Sequence, residues 1–280
     1  MLFTTRGIEQ YLGGVILFDE SVRQGLQKIL VEKGIVPGIK VDGGLEPFNG
    51  GEEQITKGLE GLDTRLKEYS SLGLKFTKWR AAIAISDINP TDAFLEENLG
   101  RLAEFAKVSQ ENGLVPIVEP EVLLDGHHTT TRCAEISIKV WQILFEKLKA
   151  RGVNLANLIL KTNMVLPGKD SGIKAEPLEV AEATLRSLNG SVPAEVSGIV
   201  FLSGGQTPDE ATNNLNEIVK RSKSSLPAGR QAWPLSFSFS RALQEEAAKT
   251  WLGKDESVTT AQEVFLSRLT KVSKARKGEL

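Results

Sequence analysis

Cysteine is almost absent from these 280 residues: Cys133 is the only one, so no internal disulfide can form. It shares an apolar helical face with Ile136, Val140 and Leu144. That spacing reads as a core cysteine rather than a reactive thiol, and it suits a reducing compartment, here the cytoplasm. Histidine is nearly as scarce. The two present, His127 and His128, are adjacent in the loop Leu124-Asp-Gly-His-His128. Neighbours in one flexible loop lack the spacing to converge on an ion with further ligands, so no zinc site and no metal or other cofactor is expected. No apolar run approaches the ~20 residues that span a bilayer. Met1-Leu-Phe-Thr-Thr-Arg6 lacks the charged-then-apolar order of a signal peptide. A net charge of -2 supplies no field for nucleic acid or an anionic membrane, so any anionic partner must be held locally. There is no fixed-period repeat, and the only biased stretch is the polar, Pro- and Gly-containing connection over 222–232, which reads as an exposed loop.

What the chain does have is regular alternation. Strand candidates lie at Gly14–Phe18, Pro37–Asp42, Leu74–Ile83, Leu114–Glu121, Leu158–Lys161, Gly198–Ser203 and Pro234–Arg241. Helical patterns separate them: Ser21–Lys33; a stripe through Ile55, Leu59, Leu62 and Leu66; Leu95 to Ala106, opened by Asn89 as N-cap with Pro90 at the first helical position; Thr130–Lys149; Glu176–Asn189; and Pro208 to about Ser222. From Ala242 to the end the pattern is helical with a basic, frayed tail. Strand and helix alternate seven times, which predicts a parallel sheet and, at this length, a (β/α)8 TIM barrel in one domain over 1–280. An eighth strand is not found, so the barrel is expected to be incomplete.

Charge is concentrated where a barrel can least tolerate it. Lys161 closes the short aliphatic run Leu158-Ile-Leu160, a place where a lysine is costly unless it has a purpose. A partly desolvated amine can attack a carbonyl to form a Schiff base; otherwise it is a lysine that snorkels from a strand end. Lys78 and Arg80 share one strand face, as do Glu119 and Glu121. Inward residues of different strands meet, so these charges form either a catalytic constellation or an ion-pair network that fixes register. In the first case a second cation at Lys78 favours the neutral, nucleophilic form of Lys161, and Glu119 shuttles protons. Ser203-Gly204-Gly205 offers backbone N–H groups and a hydroxyl after one strand, and Ser240-Arg241 adds a hydroxyl and a guanidinium after the next. In barrels the loops after the last two strands commonly hold phosphate, so a phosphorylated substrate is expected, although a glycine pair is also a common tight turn. Lys40 and Arg80 could hold a second phosphate across the mouth, or remain solvated rim charges.

Taken together, Gly14-Val-Ile-Leu-Phe18, Gly38-Ile-Lys-Val-Asp42, Lys78-Trp-Arg80, Val115-Pro-Ile-Val-Glu-Pro-Glu121, Leu160-Lys-Thr-Asn-Met-Val165, Phe201-Leu-Ser-Gly-Gly-Gln206 and Ser236-Phe-Ser-Phe-Ser-Arg-Ala-Leu-Gln244 closely resemble class I fructose-bisphosphate aldolase over nearly the whole chain. The resemblance implies reversible, metal-independent cleavage of fructose 1,6-bisphosphate through a Schiff base on Lys161. It implies acid/base and charge roles for Glu119 and Lys78, and support of the Lys161 neighbourhood by Glu121. Ser203, Gly204, Ser240 and Arg241 are implied at the phosphate beside the ketone, and Lys40 and Arg80 near the other. It further implies a homotetramer, and a plastid stroma as the other possible compartment. The pattern departs in places. Gly43 stands where members usually carry lysine, Thr162 where many carry proline, and Ser240 where animal members carry glycine. Members also begin with a segment that supplies the first barrel strand, an aspartate used in carbon–carbon cleavage and serines for the distal phosphate, and they end in a tyrosine where this sequence reads Lys277-Gly-Glu-Leu280. The resemblance therefore carries three expectations: an opened core, imine formation with weakened cleavage, and, as the rival reading, a phosphate-binding pseudoenzyme. A transaldolase-like Schiff-base barrel fits less well, because two phosphate-holding clusters suit a bisphosphate.

Overall fold

Seven parallel strands run side by side: β1 (Gly14–Leu17), β2 (Val36–Lys40), β5 (Phe76–Ile83), β6 (Val115–Val122), β7 (Ile159–Thr162), β8 (Gly198–Phe201) and β9 (Leu235–Phe237). This is a computed structural model, and it describes residues 1–224 and 233–280. β3 (Leu45–Pro47) and β4 (Gln54–Thr56) form a separate antiparallel hairpin between β2 and β5. Helices cover the sheet's outer face: α1 (Asp19–Arg23), α2 (Leu26–Glu32), α3 (Leu62–Ser71), α4 (Asp92–Glu111), α5 (Thr130–Ala150), α6 (Pro177–Ser191), α7 (Pro208–Ser224), α8 (Arg241–Trp251) and α9 (Val258–Ala275). The result is the incomplete barrel expected from the alternation. Among the described residues no strand joins β9 to β1. At that open side Ile16 is half-buried and Phe18 is 63% exposed.

Period two sorts the strand residues. On β5, Trp79 points away from the barrel axis and stacks on Phe105 of α4 with ring centroids 5.6 Å apart, while Thr77 bonds Ser109 of the same helix at 2.9 Å. Phe76, Lys78 and Arg80 therefore share the opposite, inner face. The Phe76 ring lies against Gly14 and Gly38; a Cβ would crowd it at Gly14 and overlap it at Gly38. Glycine at position 38 thus makes room for a ring two residues below Lys78 on the same face. Gly38→Ala is expected to cost about 2 kcal/mol, the scale of an overpacked core, and Phe76→Leu in the same chain to recover part of it. Thermal unfolding of the two variants reads this out; an unshifted midpoint in Gly38→Ala would rule out close packing at the barrel floor.

Several local expectations are corrected. Asn89 and Pro90 do not start α4. The Asn89–Pro90 peptide is cis, and Thr91 is the N-cap, its hydroxyl accepting from the Phe94 N–H at 3.3 Å. Glu53 in turn accepts from both the Thr91 N–H and hydroxyl, at 2.7 and 2.6 Å. The helix expected over Ser21–Lys33 is two short helices, broken where Gly25 takes a left-handed φ of 77°. Ile55 belongs to β4 rather than to a helix, because Gly58 and Gly61 reverse the chain at positive φ before α3 begins. The C-terminal helix is likewise two, split at Leu252-Gly253. Its tail is not frayed: the Leu280 N–H donates to Asn216 at 3.0 Å and Lys223 bonds the Lys277 carbonyl at 2.7 Å. Of the loop expected over 222–232, residues 222–224 are the last turn of α7 and 225–232 lie outside the described residues.

Candidate functional site

The inner face of β5, β6 and β7 brings three of the expected residues into one line of charge. Glu119, buried on β6, places Oε1 2.9 Å from the Lys161 Nζ of β7 and Oε2 2.9 Å from the Lys78 Nζ of β5. Strand register produces this. Parallel pairing puts Arg80 opposite Glu119, and the pairs Ile117–Ile159 and Val118–Leu160 place Glu119 and Lys161 next in step. Burial pushes the Glu119 carboxyl up, but the charges of Lys161 and Lys78 outweigh it and hold the group below the ordinary carboxylate range. Oε2 receives no directed hydrogen bond among the described residues, so the ion pair leaves a lone pair available for a proton.

A second row lies beside the first. Asp42, two residues past Lys40 and just beyond β2, has a side chain only 6% exposed; its carboxylate contacts Lys40 Nζ at 2.5 Å and Lys78 Nζ at 3.5 Å, and accepts from the Arg80 N–H at 3.3 Å. Sequence reasoning passed over Asp42. The signal was there, since Lys40 and Asp42 repeat the period-two charge spacing of Lys78 and Arg80, but a carboxylate at a strand's end reads equally as a turn residue. Glu121 pairs with Arg80 through its carboxylate, rather than with Lys161. Burial acts against the Arg80 charge, but the Glu121 hydrogen bond and the nearby carboxylates raise it overall.

At the opposite side of the mouth, after β8 and β9, Ser203 is buried, Gly204 turns the chain at φ 55°, and an Arg241 guanidinium N–H donates to the Gly204 carbonyl at 2.5 Å. Ser240 is exposed at the N-cap position of α8, and Arg241 is the first residue of that helix. A glycine turn, a helix N-terminus and a guanidinium thus lie side by side there, groups of the kind that can bind an anion. Lys40 and Arg80 lie on β2 and β5, separated from this cluster by β6 and β7.

The histidine loop is pinned rather than flexible. Gly168 N–H donates to the His128 carbonyl at 2.8 Å, Lys169 N–H to Leu124 at 2.8 Å and Asp170 N–H to Gly126 at 3.0 Å, zipping 124–128 to 168–170. Burial lowers the pKa of His128, and its Nδ1 has no partner among the described residues. Among the described residues no group of three or more His, Cys, Asp or Glu side chains could hold a metal ion. Cys133 is buried in α5, and burial pushes its thiol up, as a core cysteine requires. The departure at Thr162 has a structural account: its hydroxyl accepts from the Trp141 indole at 3.1 Å, tying β7 to α5. Gly43 approaches the backbone of Gly58, with its N–H on the Lys57 carbonyl at 2.7 Å.

A parallel, incomplete barrel whose mouth presents a buried amine against a carboxylate, with further cationic side chains on either side, defines a protein of the TIM-barrel class with a charged site at its mouth. The comparisons narrow this. The family model described as fructose-bisphosphate aldolase class-I matches residues 1–280. "Fructose-bisphosphate aldolase 4, cytosolic" of Arabidopsis thaliana is 44% identical over 99% of this chain and 71% of its own length. "Probable fructose-bisphosphate aldolase class 1" of Xanthomonas campestris is 43% identical over 96% of this chain and 80% of its own. A Plasmodium falciparum fructose-bisphosphate aldolase, solved with TRAP and a small-molecule inhibitor, superposes with a TM-score of 0.94 at 41% identity, covering 99% of this chain and 81% of that one. The chain belongs to the class-I fructose-bisphosphate aldolases, and the activity of that family, a carbon–carbon lyase reaction, is the one its mouth must be read against.

Proposed function

We propose that this chain cleaves fructose 1,6-bisphosphate reversibly to dihydroxyacetone phosphate and glyceraldehyde 3-phosphate, with Lys161 as the amine that forms the Schiff base. The observation that carries the assignment is the Glu119 carboxylate set between two ammonium groups at 2.9 Å each. Lys161 passes a proton to Glu119, 2.9 Å away, and its neutral Nζ attacks the ketone carbon; the proton then shed by the nitrogen goes to the former carbonyl oxygen, giving a carbinolamine. Proton transfer from Glu119, drawing on Lys78, lets the hydroxyl leave as water and forms the iminium. The Glu119 carboxylate, ionised again after dehydration, then takes the proton of the C4 hydroxyl as the C3–C4 electron pair flows into the iminium, releasing the aldehyde and leaving an enamine. Protonation of the enamine carbon and addition of water return the ketone and free the lysine. Ser203, Gly204, Ser240 and Arg241 hold the phosphate beside the ketone, and Lys40 and Arg80 the other.

Burial supports Lys161 as the nucleophile over Lys40, whose side chain is more exposed and already engaged by Asp42. The experiment is borohydride reduction in the presence of dihydroxyacetone phosphate, followed by peptide mass mapping. One adduct per chain on Lys161 is expected; an adduct on another lysine, or none in folded protein, overturns the assignment. Relatives that carry "cytosolic" in their names accord with the reducing compartment expected from the lone cysteine, and we place the chain in the cytosol on that basis. Family likeness extends the proposal to a homotetramer, which sedimentation at about four times the 30.5 kDa chain mass would support and a monomer peak would refute.

A further inference from the structure

Asp42 lies outside every role assigned above, yet its carboxylate is enclosed in the middle of the site. Its carboxylate reaches two ammonium groups, Lys40 at 2.5 Å and Lys78 at 3.5 Å, and is itself fixed by the Arg80 N–H at 3.3 Å. Lys78 therefore has two carboxylate neighbours, Glu119 at 2.9 Å on one side and Asp42 on the other. A lysine ammonium carries three donors. With Asp42 and Glu119 as ion-pair partners on two sides, Lys78 keeps donor capacity for an oxygen in the barrel mouth. The charges alternate without interruption from β2 to β7 in the order Lys40, Asp42, Lys78, Glu119, Lys161.

We propose that Asp42 is a positioning residue for the aldolase reaction: as a second counter-charge to Lys78 it divides that ammonium's charge, so that Glu119 at 2.9 Å is not fully neutralised by it, and it holds Lys78 with one side turned toward the substrate oxygen. The inference rests on the Lys161 reading. Physically, an ammonium facing one buried carboxylate alone spends its whole charge on it, and a fully neutralised carboxylate is a poorer proton carrier. A counter-ion on the far side divides the ammonium between two acceptors, and the looser 3.5 Å contact is what such division looks like. Asp42 also occupies Lys40, so removing its charge frees that amine for the distal phosphate.

Two consequences separate positioning from mere support of the fold. In Asp42→Asn, kcat for fructose 1,6-bisphosphate is expected to fall about 10- to 100-fold, the share of acid/base assistance that misplacement removes. KM is expected to stay level or drop, because Lys40 is released. Asp42→Glu restores the charge with a longer reach and should recover part of kcat. Should Asp42→Asn fail to fold, Asp42→Glu alone, compared with the unchanged chain at equal circular-dichroism signal, carries the test through the same split, a lowered kcat at level KM. An unaltered kcat in a folded variant, or a tenfold rise in KM with kcat preserved, overturns the inference. The reading it rests on fails separately: no borohydride adduct on the unchanged chain removes the Lys161 assignment, and this inference with it, whereas adduct formation at full amplitude alongside undiminished kcat in Asp42→Asn removes this inference alone.

Discussion

Lys161→Arg is expected to retain the fold while losing the borohydride-trapped adduct entirely, with aldol cleavage falling on the order of 10^4-fold or more. Arginine keeps a positive charge beside Glu119, so the carboxylate remains compensated and the strands keep their register. Its guanidinium stays protonated at any working pH and cannot add to a ketone. The comparison with Lys161→Ala is informative for the same reason. Alanine removes one of the two ammonium groups that hold the Glu119 carboxyl below its ordinary range, so the alanine variant loses stability as well as chemistry, while the arginine variant loses chemistry alone. An adduct that survives in Lys161→Arg would identify a different nucleophile, with Lys78 the nearest alternative amine across Glu119.

The second large effect is expected at Glu119. Glu119→Gln leaves Lys78 and Lys161 buried without their shared counter-charge, a loss of about 3 kcal/mol, taking the lower end of the scale for broken buried pairs because both amines border the barrel mouth. For a chain of this size that corresponds to a melting midpoint lowered by roughly 6 to 12 °C. Turnover should fall about 10^2- to 10^4-fold through the dehydration step, where no other buried carboxylate contacts Lys161 among the described residues. The two effects separate by pH. Although burial pushes the Glu119 carboxyl up, its lysine neighbours hold it below the ordinary value of about 4.3 in the folded chain. Its contribution is therefore fully present above that value and is lost as pH falls through the depressed folded value. The stability gap between the unchanged chain and Glu119→Gln should accordingly be constant near neutrality and narrow in acid. Denaturant melts at a series of pH values check this; a gap that widens in acid would place the stabilising charge elsewhere.

Much of this was legible in the residues. The seven strands fell where aliphatic runs between turn residues put them, and Lys78, Glu119 and Lys161 were marked as unusual by being charged within such runs. The places where reading failed share a cause. Asn89-Pro90 carries a helix-start pattern, but Thr91 caps α4 because Glu53, distant in sequence, fastens its backbone and hydroxyl. Ile55 fits a helical stripe, but the hairpin of β3 and β4 claims it. The histidine loop looks free until the strand-like zipper with 168–170 is seen.

Chain order and side-chain period settled the fold class, the inner and outer faces of each strand and the charged inventory of the barrel mouth, because these depend on residues two to four apart. Only the folded chain decided which charges meet: Glu119 between two lysines, Glu121 with Arg80 instead of Lys161, and Asp42 shared by Lys40 and Lys78. Those pairings depend on how far each strand slides against its neighbour, and that offset is fixed by outward residues such as Trp79 and Thr77 packing on distant helices, not by anything local to the charges themselves.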